Sequence, residues 1–123
     1  MGQQITIAIV DDDEAVRSGI SRLLRSLGFT AISFSSPEEF LDSGQARASS
    51  CVVTDVRMPG MSGIELQQEL SAQGLRVPVI FMSAFDEERT RTRAIGAGAR
   101  EFLTKPFKEQ VLIDTINAAL QSS

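Results

Sequence analysis

The chain of 123 residues contains no histidine and a single cysteine. The lack of histidine excludes serine–histidine–aspartate and cysteine–histidine catalysis, and it excludes metal sites built on imidazole. Any metal ion must then be bound through oxygen atoms, which favours Mg²⁺ or Ca²⁺. The single cysteine, Cys51, lies in an apolar run and cannot form an internal disulfide. This position predicts a small buried hydrophobic residue and not a reactive thiol.

The sequence also lacks a long apolar stretch and a surplus of positive charge. No run approaches the ~20 residues that cross a bilayer, and the N-terminus lacks the charged-then-apolar pattern of a signal peptide. The formal net charge of −4 offers no basic surface for nucleic acid or an anionic membrane. With 42% hydrophobic and 23% charged residues, the composition is typical of a globular domain. We expect a cytoplasmic protein that binds neither nucleic acid nor membrane directly.

Short apolar runs rich in β-branched residues alternate five times with segments of helical periodicity. The predicted strands are Ile5 to Val10, Phe29 to Phe34, Cys51 to Val53 (continuing to Asp55), Pro78 to Met82 and Glu101 to Thr104. Helices are predicted up to Gly28, from Pro37 to near Gly44, from Ser62 to before Gly74, from Asp86 to Gly98, and through Val111, Leu112, Ile113, Ile116, Ala119 and Leu120. Residues 45–50 are predicted as a polar connection.

Several helix ends carry a recognisable signal. Ser36-Pro37-Glu38-Glu39 and Ser62-Gly63-Ile64-Glu65 are both typical of capping boxes, the first with proline at the first helical position. Asp86 is a good N-cap for the fourth helix. Gly28 is typical of a helix C-terminus.

Alternating strands and helices predict a parallel sheet with helices on both faces. Right-handed crossovers and a doubly wound order bring the first and third strands together at a topological switch point. No linker, repeat or low-complexity segment interrupts the pattern. We expect residues 1–123 to form a single domain, with nothing left over for a second one.

Acidic residues follow the first and third strands of this predicted sheet. Asp11 and Asp12 come after the first, and Asp55 comes at the end of the third. If these strands are neighbours, the three carboxylates converge at one edge, where they repel and raise one another's pKa values. A hard divalent cation would relieve this repulsion, and Mg²⁺ suits a site of few carboxylates, water and a phosphate.

The fourth and fifth strands end in a hydroxyl and an ammonium group. Ser83 and Lys105 lie at the same end of their strands as Asp55. Each residue alone has a simpler explanation, such as helix capping by Asp13-Glu14 or an ordinary loop around Lys105. Together, however, they suit transfer of a phosphoryl group onto a carboxylate, where positioning and charge neutralisation supply most of the catalysis.

With these residues in place, the chain resembles the receiver domain of bacterial two-component response regulators. The matching segments are Ile9-Val10-Asp11-Asp12-Asp13, Asp55-Val56-Arg57-Met58-Pro59-Gly60-Met61-Ser62-Gly63, Met82-Ser83-Ala84, Ala97-Gly98-Ala99 and Phe102-Leu103-Thr104-Lys105-Pro106-Phe107. The residues around Asp55 and Lys105 are most similar to FixJ-type receivers, which usually precede a helix-turn-helix DNA-binding domain. The resemblance implies a flavodoxin-like (βα)5 three-layer sandwich with a five-stranded parallel sheet in the order 2-1-3-4-5.

The resemblance also implies the chemistry of the site. Asp55 would accept a phosphoryl group from a sensor histidine kinase. Asp11 and Asp12 match the acidic pair that binds Mg²⁺, and Asp55 and the backbone carbonyl of Arg57 complete the ligands. Such a domain is not a classical enzyme, because it catalyses only its own phosphorylation and slow dephosphorylation.

A switch is implied by three further positions. Ser83 matches the hydroxyl that binds the phosphoryl group, and Lys105 matches its lysine contact, with a cis bond to Pro106. Phe102 falls at the aromatic switch position, where tyrosine is more usual in the wider family. Phosphorylation is expected to change the surface formed by the fourth helix and fifth strand. That surface would control a homodimer or an output domain, with transcription as the regulated process.

The fourth helix looks suited to such a change. The stretch from Glu87 to Arg93 has no large apolar residue, and only Ala94, Ile95 and Ala97 could anchor the helix. Phe85, two residues after Ser83, is bulky for the edge of a site and could shield a phosphoryl group from water.

Three alternatives remain to be weighed. A phosphatase of the haloacid-dehalogenase type needs a second aspartate two residues after its nucleophile, and that position is Arg57 here. A flavin or nucleotide module would need a phosphate-binding loop after the first strand, where this chain has Asp11-Asp12-Asp13. An unphosphorylated receiver serving only as an interaction module is disfavoured by the intact acidic cluster. Whether the chain is free-standing or part of a longer regulator stays open.

Overall fold

The architecture is that of a computed structural model of the chain, which describes residues 5–84 and 88–121. The elements in order are β1 (Thr6–Val10), α1 (Glu14–Ser26), β2 (Thr30–Phe34), α2 (Pro37–Ser43), β3 (Cys51–Asp55), α3 (Gly63–Ala72), β4 (Val79–Ser83), α4 (Glu88–Gly96), β5 (Glu101–Thr104) and α5 (Glu109–Gln121). A short 3₁₀ turn, Ala46–Ala48, occupies the connection predicted at residues 45–50. Among the helices of the described residues, none combines the length and the apolar character needed to cross a bilayer.

The sheet is parallel and has the strand order β2-β1-β3-β4-β5, which confirms the predicted fold class. In the register of β1 and β3, Val10 lies opposite Thr54, so Asp11 and Asp55 follow at the same level. Asp55 lies opposite Met82 of β4. The carboxyl ends of the central strands therefore meet at one edge.

Two apolar cores cover the two faces of the sheet, because successive strand residues point to opposite sides. One core packs α1 and α5 against the sheet through Ile7, Ile9, Leu24, Ile80, Leu112 and Ile116, among others. The other packs α2, α3 and α4 through Ala8, Val10, Phe40, Leu66, Phe81 and Phe102, among others. Burial on both faces explains why β1, β3 and β4 are continuous apolar runs in the sequence.

Cys51 begins β3 inside the first of these cores and is fully buried. Burial raises the pKa of its thiol to about 12, outweighing the smaller lowering effects of the Val52 backbone and the charge of Arg100. A thiol with such a pKa is protonated at neutral pH and is a poor nucleophile. The prediction of an inert, packed cysteine is confirmed.

The two predicted capping boxes differ in the structure. At α3 both bonds are present: the Glu65 amide donates to Ser62 Oγ at 3.1 Å, and the Ser62 amide donates to Glu65 Oε1 at 2.9 Å. At α2 only one half forms, from the Glu39 amide to Ser36 Oγ at 3.1 Å. The Glu39 carboxylate accepts instead from the amide and hydroxyl of Ser35. The predicted box at α2 was therefore wrong in its second half, because Ser35 offers two donors to that carboxylate.

The anchoring of α4 also differs from the prediction. The buried residues of this helix are Thr90 and Ala94, whereas the Ile95 side chain is 48% exposed. Ile95 follows Ala94 by one position and therefore points about 100° away from it around the helix. The helix is held by two small side chains, which supports weak packing but not the predicted role of Ile95. Phe85 and the predicted N-cap Asp86 lie outside the described residues.

Gly63, the first residue of α3, provides a test of how tightly the end of β3 is packed. A Cβ atom there would collide with the backbone carbonyl oxygen of Asp55 and lie 3.2 Å from Cε1 of Phe81. Because backbone and a buried ring must both move, we expect Gly63→Ala to lower the free energy of unfolding by about 2 kcal/mol or more. Equilibrium unfolding in urea measures this change.

The matched control is Gly19→Ala in the middle of α1. No atom lies within 4 Å of a Cβ built at Gly19, so alanine should raise the free energy of unfolding by about 0.5–1 kcal/mol. Effects of the same sign and size at Gly63 and Gly19 would contradict this account of the packing.

Candidate functional site

The carboxyl ends of the strands bring the predicted site residues together. Carboxylate oxygens of Asp11, Asp12 and Asp55 lie within 4.8 Å of one another. Lys105, which directly follows β5, reaches this cluster with its ammonium group. The convergence predicted from the sequence is confirmed for these four residues.

Asp11 is held in place by more contacts than the other carboxylates of the cluster that are described here. Its side chain is fully buried, and Oδ2 accepts a hydrogen bond from Lys105 Nζ at 2.9 Å. Oδ1 accepts from the backbone amide of Asp13 at 2.9 Å. The guanidinium of Arg17 donates to the Asp11 carbonyl oxygen at 2.7 Å. With both carboxylate oxygens and the carbonyl bonded, Asp11 has one orientation, and its buried charge is compensated.

Asp55 is less completely compensated. Its Oδ2 lies 3.4 Å from Lys105 Nζ, and its side chain is 14% exposed. Burial raises the pKa of the Asp55 carboxyl and the Asp11 charge adds to this, while Lys105 and the Val56 amide lower it; the net direction is upward. The fold therefore disfavours the ionised form of Asp55 relative to the unfolded chain.

Lys105 remains a cation in this setting. Burial lowers the pKa of its ammonium group, but the hydrogen bond to Asp11 and the charges of Asp55 and Asp11 outweigh burial, so the pKa is raised. The lysine thus keeps its positive charge between two carboxylates. It can neutralise charge on either of them and on a group bound beside them.

The backbone around Asp55 is held on three sides. The hydroxyl of Thr54 donates to the Asp55 carbonyl oxygen at 3.0 Å. The amide of Val56 donates to the Met82 carbonyl of β4 at 3.0 Å, and the amide of Gly63 donates to the Val56 carbonyl at 2.9 Å. These bonds extend the sheet one residue past Asp55 and then turn the chain into α3.

The loop between β3 and α3, which carries Arg57, is also tied to α2. Glu38 Oε2 accepts a hydrogen bond from the Met61 amide at 3.1 Å. Gly60 precedes this contact with φ +79°, and a Cβ there would lie 2.7 Å from Glu38 Oε2. The backbone conformation therefore favours glycine, and a side chain at residue 60 would push the end of the flexible Glu38 side chain away from the Met61 amide. Sequence reasoning missed Glu38, since the contact spans 23 residues and leaves no local pattern.

Ser83 and Phe102 lie on the neighbouring strands β4 and β5. Ser83 is 1% exposed, and its carbonyl accepts from the Lys105 amide at 2.7 Å. Phe102 is 3% exposed in the core beneath α4, where Cζ of Arg91 lies 4.8 Å from its ring centroid. The Lys105–Pro106 bond is cis, as the resemblance implies. The structure thus places Ser83 beside Lys105 but places Phe102 in the apolar core, outside the carboxylate cluster.

The donor atoms of the cluster fit a hard divalent cation. All side-chain donors are carboxylate oxygens, which is the ligand type that Mg²⁺ and Ca²⁺ select. Asp12 is exposed to solvent whereas Asp11 is buried, so the cluster is open to water on the side of Asp12. Arg17 was not predicted from the sequence, although its position one turn beyond the acidic run is a usable signal for a positioning cation.

The raised pKa of Asp55 leads to a stability prediction in buffers free of divalent cations. Its protonated form is favoured by the fold, so its contribution is fully present below the usual pKa of 3.8. That contribution is lost as the pH rises through the higher folded-state pKa. We therefore expect Asp55→Asn to raise the free energy of unfolding at about pH 8, with a smaller gain at about pH 4.5. Urea unfolding at both pH values measures this, and a variant less stable than wild type at the higher pH would contradict it.

The whole chain is similar to characterised signalling domains. Residues 7–117 match the family described as the response regulator receiver domain. The transcriptional regulatory protein TdiR of Thauera aromatica is 41% identical over 119 residues, which is 97% of this chain and 52% of TdiR. The transcriptional regulatory protein FixJ of Azorhizobium caulinodans is 39% identical, over 100% of this chain and 58% of that protein. The chain thus spans about half the length of the curated relatives it matches.

A solved structure agrees with these sequence matches. The crystal structure of FixJ-N has a TM-score of 0.88 and 35% sequence identity, and the alignment covers 99% of this chain and 98% of that one. The resemblance to FixJ-type receivers inferred from the residues around Asp55 and Lys105 is confirmed. The chain belongs to the response regulator receiver family.

Proposed function

We propose that this chain is a phosphorylation-dependent receiver that takes a phosphoryl group onto Asp55. The observation that carries the proposal is the approach of Asp11, Asp12 and Asp55 oxygens to within 4.8 Å of one another, with Lys105 Nζ contacting two of the three residues. Three carboxylates this close to one another repel, and a cation bound among them would offset that repulsion. Membership of the receiver family supports the same function.

The phosphoryl donor is proposed to be the phosphohistidine of a sensor histidine kinase. A carboxylate oxygen of Asp55 attacks phosphorus, the phosphorus–nitrogen bond breaks, and the electron pair leaves with the imidazole of the kinase. Lys105 Nζ lies 3.4 Å from Asp55 Oδ2. Its ammonium group can stabilise the negative charge as this charge moves from the carboxylate to the phosphoryl oxygens. This chain has no histidine of its own, so the phosphohistidine lies outside these 123 residues.

Mg²⁺ is the proposed cofactor of the site. Asp11, Asp12, Asp55 and the backbone carbonyl of Arg57 would hold it, which fits an all-oxygen donor set. When bound, the ion supplies positive charge shared between the carboxylates and the phosphoryl oxygens. Lys105 already neutralises the charge of the buried Asp11. The negative charge that a divalent ion would neutralise is therefore that of the exposed Asp12 and the partly buried Asp55.

The proposed product is a signal and not a turnover intermediate. Two residues after Asp55 stands Arg57, which offers no carboxylate to activate water. The domain would therefore catalyse its own phosphorylation and only slow dephosphorylation. Persistence of the phosphoaspartate gives the switch time to act on a partner.

We propose that phosphorylation of Asp55 changes the surface formed by α4 and β5, and that Ser83 and Phe102 couple the two. A phosphoryl group adds about −1.5 to −2 charges and strong acceptors, which the Ser83 hydroxyl and Lys105 can meet. Moving β4 or β5 would disturb the contact of Arg91 with Phe102, in which Cζ of the guanidinium lies 4.8 Å from the ring centroid. Because α4 is buried only at Thr90 and Ala94, such a shift is inexpensive.

The regulated process is proposed to be transcription. The relatives TdiR and FixJ are named as transcriptional regulatory proteins, and this chain matches about half of each. The α4–β5 surface would form a homodimer or contact an output domain once Asp55 is phosphorylated.

Acetyl phosphate with Mg²⁺ tests the phosphoacceptor. Intact-mass spectrometry should show one added phosphoryl group on the wild type and none on Asp55→Asn, because the amide cannot act as the nucleophile. The matched control is Asp13→Asn in the same acidic run. Asp13 caps α1 through the Ala15 amide at 2.9 Å, and asparagine keeps that cap, so labelling should persist. Equal labelling of Asp55→Asn and wild type would overturn the assignment.

Ser83→Ala tests the path to the surface. The variant should still accept phosphate at Asp55, but beryllofluoride, a phosphoryl mimic, should produce much smaller amide shift changes at residues 88–104 than in wild type. The reason is the loss of the hydroxyl that couples β4 to the phosphoryl oxygens. Ser33→Ala, at an exposed position of β2, is the control and should respond like wild type. A silent segment in wild type, or an equal response in Ser83→Ala, would contradict the coupling.

A further inference from the structure

Arg17 reaches back from the first turn of α1 to the end of β1. Its guanidinium donates to the Asp11 carbonyl oxygen at 2.7 Å, while its own amide donates to the Asp13 carbonyl oxygen at 3.1 Å. The side chain is partly buried and, within residues 5–84 and 88–121, forms no ion pair with a carboxylate. The direct bond of this cation is therefore to the backbone of the acidic run and not to one of its carboxylates.

The carbonyl group of Asp11 lies just past the last hydrogen bond between β1 and β2. The Asp11 amide still donates to the Phe34 carbonyl oxygen at 3.1 Å. The Asp11 carbonyl oxygen accepts from the Arg17 guanidinium, and the residue is 0% exposed. A buried carbonyl without a donor is costly. Loss of the guanidinium would therefore favour rotation of the peptide group between Asp11 and Asp12, which brings this oxygen to water or to another donor.

Asp12 is the carboxylate that such a rotation would move. It is exposed, and among the described residues its side chain forms no hydrogen bond and no ion pair. The Asp11 carboxylate, by contrast, is held by Lys105 and by the Asp13 amide. Rotation of a peptide group changes ψ of the residue before it and φ of the residue after it. The direction of the Asp12 side chain therefore depends on the backbone, and the backbone is held at this point by Arg17.

We propose that Arg17 is a positioning residue for the divalent cation of the phosphoacceptor site. Its bond to the Asp11 carbonyl oxygen fixes the peptide group that keeps the Asp12 carboxylate close to Asp11 and Asp55, where oxygens of the three residues lie within 4.8 Å of one another. This role rests on the proposed Mg²⁺ site, and it belongs to a residue outside the four proposed ligands. Arg17 acts on the ion only through Asp12.

Charge and positioning predict opposite effects when Arg17 is replaced. An arginine near three carboxylates repels an incoming cation, so the loss of its charge alone should tighten Mg²⁺ binding. Loss of a contact that orients a metal ligand weakens metal binding by roughly 10–100-fold. Arg17→Met removes both the charge and the donors but keeps an apolar stem. The sign of its effect on the dissociation constant therefore separates the two roles.

The affinity for Mg²⁺ is measured on the whole chain labelled with ¹⁵N, because the sequence has no tryptophan or tyrosine to report binding by fluorescence. MgCl₂ is titrated at constant ionic strength, and the amide shifts of residues 11–13 and 55–57 give the dissociation constant. We expect Arg17→Met to weaken binding about tenfold. The matched control is Arg22→Met, which removes an exposed arginine from the same helix and should bind Mg²⁺ at least as tightly as wild type.

Two outcomes of this titration are distinct. Binding by Arg17→Met as tight as that of wild type, or tighter, would overturn the positioning role and leave the proposed Mg²⁺ site intact. The absence of saturable binding by wild type would overturn the Mg²⁺ site and the positioning role with it. Urea unfolding shows whether each variant is folded. If Arg17→Met is not, Arg17→Lys replaces it and should show a smaller loss of the same sign, because lysine keeps the charge on a shorter stem; wild-type affinity in that variant would overturn the role.

Labelling with acetyl phosphate gives a second readout. Arg17→Met should raise the Mg²⁺ concentration that gives half of the maximal labelling rate by about tenfold. The maximal rate at saturating Mg²⁺ should stay near that of wild type, because Asp55 and Lys105 are unchanged. A lower maximal rate with an unchanged Mg²⁺ requirement would overturn the proposal, since Arg17 would then act on phosphoryl transfer and not on the cation.

A double-mutant cycle tests whether Arg17 acts through Asp12. In the Asp12→Asn background, Arg17→Met should cause no further loss of Mg²⁺ affinity, because the ligand that Arg17 positions is already removed. Equal losses of about tenfold in the wild-type and Asp12→Asn backgrounds would show that the two residues act independently, and this result would overturn the path through Asp12.

Discussion

The contact between Lys105 and Asp11 is the interaction on which the end of the sheet depends. Asp11 is fully buried, and a buried carboxylate without a cation is strongly destabilising. Its partner is 94 residues away along the chain and follows β5, whereas Asp11 follows β1. Two strands, β3 and β4, lie between them in the sheet. The ion pair therefore forms only when four strands are in register, so it couples the assembly of the sheet to the geometry of the site.

Because Lys105 lies closer to Asp11, its positive charge compensates the negative charge of Asp55 only in part. Lys105 Nζ is 2.9 Å from Asp11 but 3.4 Å from Asp55, and burial raises the pKa of the second carboxyl despite the lysine. Because the fold disfavours the ionised form of Asp55, a cation that offsets this charge or a covalent modification of the carboxylate would change the stability of the folded state. Carboxyl groups with perturbed pKa values are common at functional sites, where the fold is less stable than it would be without them.

The sequence was sufficient for the order of the elements and for the four residues of the cluster, because both follow from local rules. β5 was predicted at Glu101 to Thr104 and is found there, and parallel strands place their final residues at one edge regardless of side-chain detail. The packing of α4 and the side-chain contacts between loops and helices could not be predicted from the sequence. Periodicity could not tell that Ala94 and not Ile95 faces the core in a short helix of weak amphipathic character. No local pattern reveals that Glu38 reaches Met61 or that Glu39 prefers Ser35 to Ser36.

Helix α4 is the loosely held element next to the carboxylate cluster. β4 ends at Ser83 and β5 ends beside Lys105, and α4 packs on the sheet through two small buried side chains. A loosely held helix can occupy more than one position. A group that favours one position of α4 must itself be bound more tightly when the helix takes that position, since coupling between sites is reciprocal. A change of charge at the carboxylate cluster can therefore act on α4 only to the extent that it favours one position of the helix over another.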